Sequence, residues 1–92
     1  MRILHLTLKK KWFDMISSGI KKEEYREIKP YWNRRLGLNK FDVVCFRNGY
    51  AKNSPRIILE LKRIERGLGI IEWGAPEDET VYILRLGKQL NL

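Results

Sequence analysis

Eight residues, Gly19-Ile20-Lys21-Lys22-Glu23-Glu24-Tyr25-Arg26, constrain this chain more than any other stretch. Just before them, Trp12, Phe13 and Ile16, with Met15 at the margin, recur at helical spacing. That pattern predicts an amphipathic helix over residues 8–18, with Thr7 as its N-cap. Gly19 suits the end of that helix, because glycine enters the left-handed conformation without a Cβ penalty. From about Lys22 to Glu27 a strand is predicted, which sets Glu24 and Arg26 two apart on one face. Lys21, at the mouth of the turn, leans over the same face. A cation, an anion and a second cation then converge, which reads as a site.

The spacing Gly-x-Lys-x-x-Glu-x-Arg, carried here by Gly19, Lys21, Glu24 and Arg26, resembles the signature of the ASCH domain family. The likeness extends over the whole chain: a short N-terminal strand, a basic helix ending at the glycine, then a mostly β remainder. It implies an α+β fold, a PUA-like small mixed β-barrel of five to six strands with two short helices, as one domain over residues 1–92. In that family the motif residues line a cleft proposed to hold RNA or a nucleotide. Some ASCH-like proteins are amidohydrolases of acylated cytidine and others are ribonucleases. The amidohydrolases carry threonine three residues after the lysine, where this chain has Glu24.

A chain of 92 residues supports one core and one domain. Its 43% hydrophobic content is a globular composition rather than a disordered one. No apolar run approaches the roughly 18–20 residues of a membrane span, and the N-terminus lacks a signal-peptide hydrophobic region, so a cytoplasmic monomer is expected. The single Cys45, set among apolar neighbours, reads as a buried inert thiol. One His and one Cys leave no zinc constellation, and neither a metal nor another cofactor is expected.

Charge says more. The net charge is +8, and residues 1–36 hold ten Lys/Arg against four acids, leaving only +2 for the remainder. A basic face built by the N-terminal third points to a polyanionic partner. Lys9, Lys10 and Lys11 sharpen this, because cations in a helix's first turn oppose its dipole. Arg34 and Arg35 extend the face from a short second helix, opened by Pro30 and ended by Gly37, with Tyr31 and Trp32 packing it on the barrel.

Residues 3–8 alternate as a first strand, with Leu4, Leu6 and Leu8 inward and His5 and Thr7 on the other face. Residues 41–47 form a near-continuous apolar run, read as a buried central strand. Asn48-Gly49 is a turn of the positive-φ kind. Residues 56–66 alternate as a long strand, and Ile58 and Ile64 break the pattern, which predicts a bulge. A loop over residues 67–79 carries Trp73, residues 80–86 form the closing strand, and the tail 87–92 is expected to fray.

Three chemistries fit Lys21, Glu24 and Arg26. They form a structural ion pair at the barrel rim; or Lys21 and Arg26 hold phosphate or base oxygens while Glu24 accepts from an exocyclic amine; or Lys21 and Glu24 act as nucleophile or base and proton partner in a hydrolysis. Tyr50, after the turn, and Trp73, on the long loop, are expected to be exposed and able to stack on unpaired bases. Single-stranded RNA or a nucleotide therefore fits better than a duplex, whose base faces are hidden. The expected nucleic-acid contacts are Lys9, Lys11, Lys21, Glu24, Arg26, Asn48, Tyr50 and Trp73. A protein-interaction module anchored by Trp32 or Trp73 is the remaining class.

Overall fold

The computed structural model describes residues 1–38 and 40–91. In chain order the elements are β1 (Ile3–Leu8), α1 (Lys10–Ser17), β2 (Glu23–Glu27), α2 (Pro30–Leu36), β3 (Val43–Asn48), β4 (Arg56–Leu68), a 3-10 turn (Ile71–Trp73) and β5 (Thr80–Leu90). The strands form one sheet in the order β1-β3-β4-β5-β2. β1 runs parallel to β3, and the other three pairings are antiparallel. The result is a small α+β fold, a five-stranded sheet curled into a half-barrel with two helices.

Alternation sets which face of the sheet is buried. Leu4, Leu6 and Leu8 of β1 are buried on the concave face, where they meet Phe13 and Ile16 of α1, Phe46 of β3 and Leu84 of β5. Each such side chain contributes about 1.5–3 kcal/mol on burial. A smaller cluster, Tyr25, Ala75, Val81 and Ile83 with Trp73 against it, forms where the loop after β4 crosses β2. Tyr25 fixes that crossing: its hydroxyl accepts the Ile70 N–H at 3.0 Å and donates to Glu23 Oε1 at 2.8 Å. Burial, with Glu23 reinforcing it, holds the Tyr25 hydroxyl well above its ordinary pKa.

Several boundaries differ from the sequence reading. Thr7 is no cap: it stays extended opposite Arg47, and α1 follows Lys9, whose side chain makes no capping bond. Pairing with β3 outweighs the cap because it runs unbroken through Leu8. Where the pattern predicts a frayed tail over residues 87–92, β5 continues to Leu90, because β4 is long enough to pair Leu59 with Gln89 and Ile58 with Leu90. β4 itself runs on to Leu68, which shortens the loop. The predicted bulge is present, with register shifts flanking Leu61. Tyr31 is half exposed rather than packed on the sheet, its ring set edge-on to Trp32 at 4.8 Å. No described helix is long and apolar enough to cross a membrane.

Candidate functional site

Gly19 ends α1 with φ +86°, and the Gly19 and Lys21 amides donate back to Ile16 and Met15 carbonyls at 3.1 and 2.9 Å. This tight reversal turns the Lys21 side chain inward. Lys21 is 2% exposed, an unusual condition for a lysine. Its ammonium donates to the Trp73 carbonyl, lies 3.2 Å from Glu24 Oε1, and sits 4.7 and 5.2 Å from the Tyr25 and Trp12 ring centroids. Burial lowers the Lys21 pKa from its ordinary value, against the opposing pull of Glu24.

Strand alternation carries the chain of charge onward. Glu24 Oε2 accepts from Arg26 Nη1, and Arg26 also donates to the Tyr25 carbonyl at 3.0 Å and to the Thr7 carbonyl at 3.3 Å. That last bond joins β2 to β1, the two outer strands of the sheet. A continuous line, Lys21–Glu24–Arg26, therefore runs from the crossing loop to the seam of the half-barrel. It holds two cations and one anion, so its excess positive charge is delivered at the Arg26 end.

Along that seam lies an open cleft of about 810 Å³. Lys9, Arg26 and Arg35 supply its cations, Glu24 its anion, and Trp12, Trp32 and Tyr50 its main aromatic surface. Two guanidinium groups lie near the Trp32 ring, Arg26 at 5.2 Å and Arg35 at 5.3 Å from its centroid. Arg35 also donates to the His5 carbonyl at 3.2 Å. Such a wall offers stacked planes and N–H donors in one place, the requirements for holding an unpaired base beside a phosphate.

The residues singled out from sequence divide into two groups. Lys9, Glu24, Arg26 and Tyr50 line the cleft, and Tyr50 is 86% exposed. Lys11 lies over the Trp12 ring, its ammonium 4.6 Å from the centroid. Lys21 stands behind Glu24 rather than at the cleft wall. Asn48 ends β3 half-buried, its N–H donating to the Pro55 carbonyl at 3.0 Å. Trp73 corrects the expectation of an exposed ring: it is half-buried against the Tyr25 cluster, and its contribution to the ionic line is its carbonyl.

Sequence reasoning assigns Trp12 to packing and Trp32 to packing or to a protein anchor, and does not foresee Arg35 lying against the Trp32 ring. The signal was the interleaving of cations and aromatics from Arg26 to Arg35, which a short helix folds onto one wall. Among the described residues no group of His, Cys, Asp and Glu side chains is arranged to hold a metal ion. No family model, curated protein or solved structure matches the chain.

Proposed function

We propose that the seam cleft binds a single-stranded nucleic acid or nucleotide, with an unpaired base stacked on its aromatic wall and a phosphate held by Arg26, Arg35 and Lys9. On this reading the chain is an ASCH-like, PUA-like RNA-binding domain. The observation that carries it is the meeting of the Trp32 ring with the Arg26 and Arg35 guanidinium groups, beside a buried carboxylate, in a cleft open to solvent. Glu24 then has two tasks: it fixes the Arg26 fork and accepts from an exocyclic amine. Lys21 pairs with Glu24 from behind, 3.2 Å from Oε1, and Arg26 pairs with it from the cleft side.

Quenching of tryptophan fluorescence by short single-stranded RNA tests the reading. Arg35→Gln is expected to weaken binding by about tenfold to a hundredfold, in keeping with roughly 1.5–3 kcal/mol for a charge-assisted hydrogen bond. Exchanging Lys9, Lys10 and Lys11 together for Gln is expected to shallow the dependence of log K on log salt, by roughly 0.7 for each phosphate that is no longer neutralised. Binding that is absent at low salt, or unmoved by either change, favours the interaction-module class instead.

A hydrolytic reading draws on one observation, the lowered pKa of Lys21. It requires a substrate to reach an ammonium whose side chain is 1% exposed. Turnover of acylated cytidine or RNA that Lys21→Arg abolishes while binding persists would establish it, since arginine keeps the charge but does not deprotonate near neutral pH.

A further inference from the structure

α2 stands between two basic hollows. One is the seam cleft. The other is a groove of about 720 Å³ running beside residues 61–66 of β4, with Leu36, Ile64 and Tyr82 among its lining residues. Four cations line this groove, Lys40, Lys62, Arg63 and Arg66, together with two acids, Asp42 and Glu65.

Both acids are engaged elsewhere. Asp42 Oδ2 accepts the Arg2 N–H at 2.7 Å, and Glu65 is bound by Arg63 and Arg85. Arg63 is neutralised in that pairing. Lys40 and Lys62 are exposed and have no carboxylate partner among the described residues. Arg66 lies over the Tyr82 ring, 5.2 Å from its centroid, and donates to its hydroxyl at 3.2 Å. The groove is thus a positive track with one planar guanidinium held in place.

Its position relative to the cleft is fixed by two contacts. Tyr82 donates to Asn33 Oδ1 of α2 at 2.5 Å, and Tyr82 is the register partner of Arg26 across β2 and β5. Groove and cleft therefore lie on either side of one short helix, whose width with side chains is about 10–12 Å. Single-strand-binding folds commonly occupy about 4–16 nucleotides, a reach that takes in both hollows.

We infer that the ligand is a polynucleotide strand rather than a free nucleotide: one base enters the cleft, and the flanking phosphates pass α2 into the β4 groove, onto Lys40, Lys62 and Arg66. This rests on the cleft reading for the base and on the groove's own charge for the flank.

The test compares cytidine monophosphate, whose base carries the exocyclic amine that Glu24 accepts from, with oligocytidylates of increasing length, binding to the unchanged protein and to a Lys40→Gln/Lys62→Gln double variant. Both lysines are exposed, so the thermal midpoint should stay in place. The expected result is equal affinity of the two proteins for the monophosphate and a loss of about tenfold for the longest oligomer. The salt slope for that oligomer should be shallower by about 1.4, from roughly 0.7 per neutralised phosphate. A variant that weakens both ligands alike, or neither, overturns the inference. If the monophosphate fails to bind while the longest oligomer binds through Lys40 and Lys62, the cleft reading falls and the groove stands. If the longest oligomer also fails to bind, both fall.

Discussion

Glu23 and Glu24 are neighbours on one strand, each gripped by basic side chains, and they live in different solvents. Glu24 faces inward between Lys21 and Arg26, and its own side chain and that of Lys21 are 6% and 1% exposed. Glu23 faces outward to Arg85, which also binds Glu65, which in turn binds Arg63, whose side chain is 63% exposed. The two networks use the same chemistry. What separates them is desolvation of the central pair: Lys21 and Glu24 have given up water and depend on each other and on Arg26, whereas Glu23, itself 13% exposed, shares its network with Arg85, Glu65 and Arg63, which keep water in reserve.

The sharpest way to break that contrast is Glu24→Gln. Removing the anion leaves a buried ammonium facing a guanidinium, and the expected loss is about 3–5 kcal/mol in urea denaturation. A loss below about 1 kcal/mol would show that the inner network behaves as a surface pair.

Next in size is Gly74→Ala, which probes the frame rather than the charges. Gly74 has φ +103°, and a Cβ there would meet the Trp12 ring at 3.1 Å, beside the carbonyl that anchors Lys21. Left-handed strain alone is about 1–2 kcal/mol for a non-glycine residue. Gly19→Ala should show that strain alone, since nothing lies within 4 Å of its Cβ position. Gly74→Ala should cost more and shift tryptophan emission; equal costs would place Trp12 outside the frame.

A pH comparison follows. The folded state binds the Lys21 proton less tightly than the unfolded chain, so unfolding takes up a proton between the lowered folded pKa and the ordinary value of about 10.4. Stability from this group therefore rises as pH rises through that window, and Lys21→Met should lack the rise. Tyr25 works the other way: its stabilising share is present below its ordinary pKa of about 10 and is lost above it. Both proteins contain Tyr25, so it cancels in the difference. A flat difference between pH 7 and about pH 10 would contradict the inward burial of Lys21.

The smallest effect is expected from Glu65→Gln in the outer network. Hydrogen bonds from Arg63 and Arg85 hold the Glu65 pKa below its ordinary value, so its contribution is present above about pH 4.3 and lost as pH falls through the folded pKa. At neutral pH the denaturation midpoint should barely move, and high salt should erase what difference there is. A loss comparable to that of Glu24→Gln would remove the distinction between the faces.

Local pattern made the inner line legible, and its surroundings were not. Gly19, Lys21, Glu24 and Arg26 could be assembled from a helix end and strand alternation, because both are set within a few residues. That Lys21 ends up sealed could not, since the seal comes from Trp12 on α1 and Trp73 on a loop fifty-two residues further on. The sheet was likewise readable strand by strand, while strand ends were fixed by partners. Gln89 and Leu90 are strand residues only because Leu59 and Ile58 lie opposite them. Trp32 read as packing or a protein anchor because aromatic residues beside a helix start usually pack; the approach of Arg26 and Arg35 to its ring depends on how β2 and α2 meet.

The seam also bears on how copies of this chain avoid one another. β1 and β2 are the two rims of an open sheet, and an uncovered rim invites a neighbouring molecule to add a strand. Here guanidinium groups already occupy the carbonyls of His5 and Thr7 on one rim and Tyr25 on the other. Arg26 and Arg35 thus cap rim carbonyls as well as walling the cleft. An apolar replacement at Arg26 would free the Thr7 and Tyr25 carbonyls, one on each rim, and one at Arg35 would free that of His5.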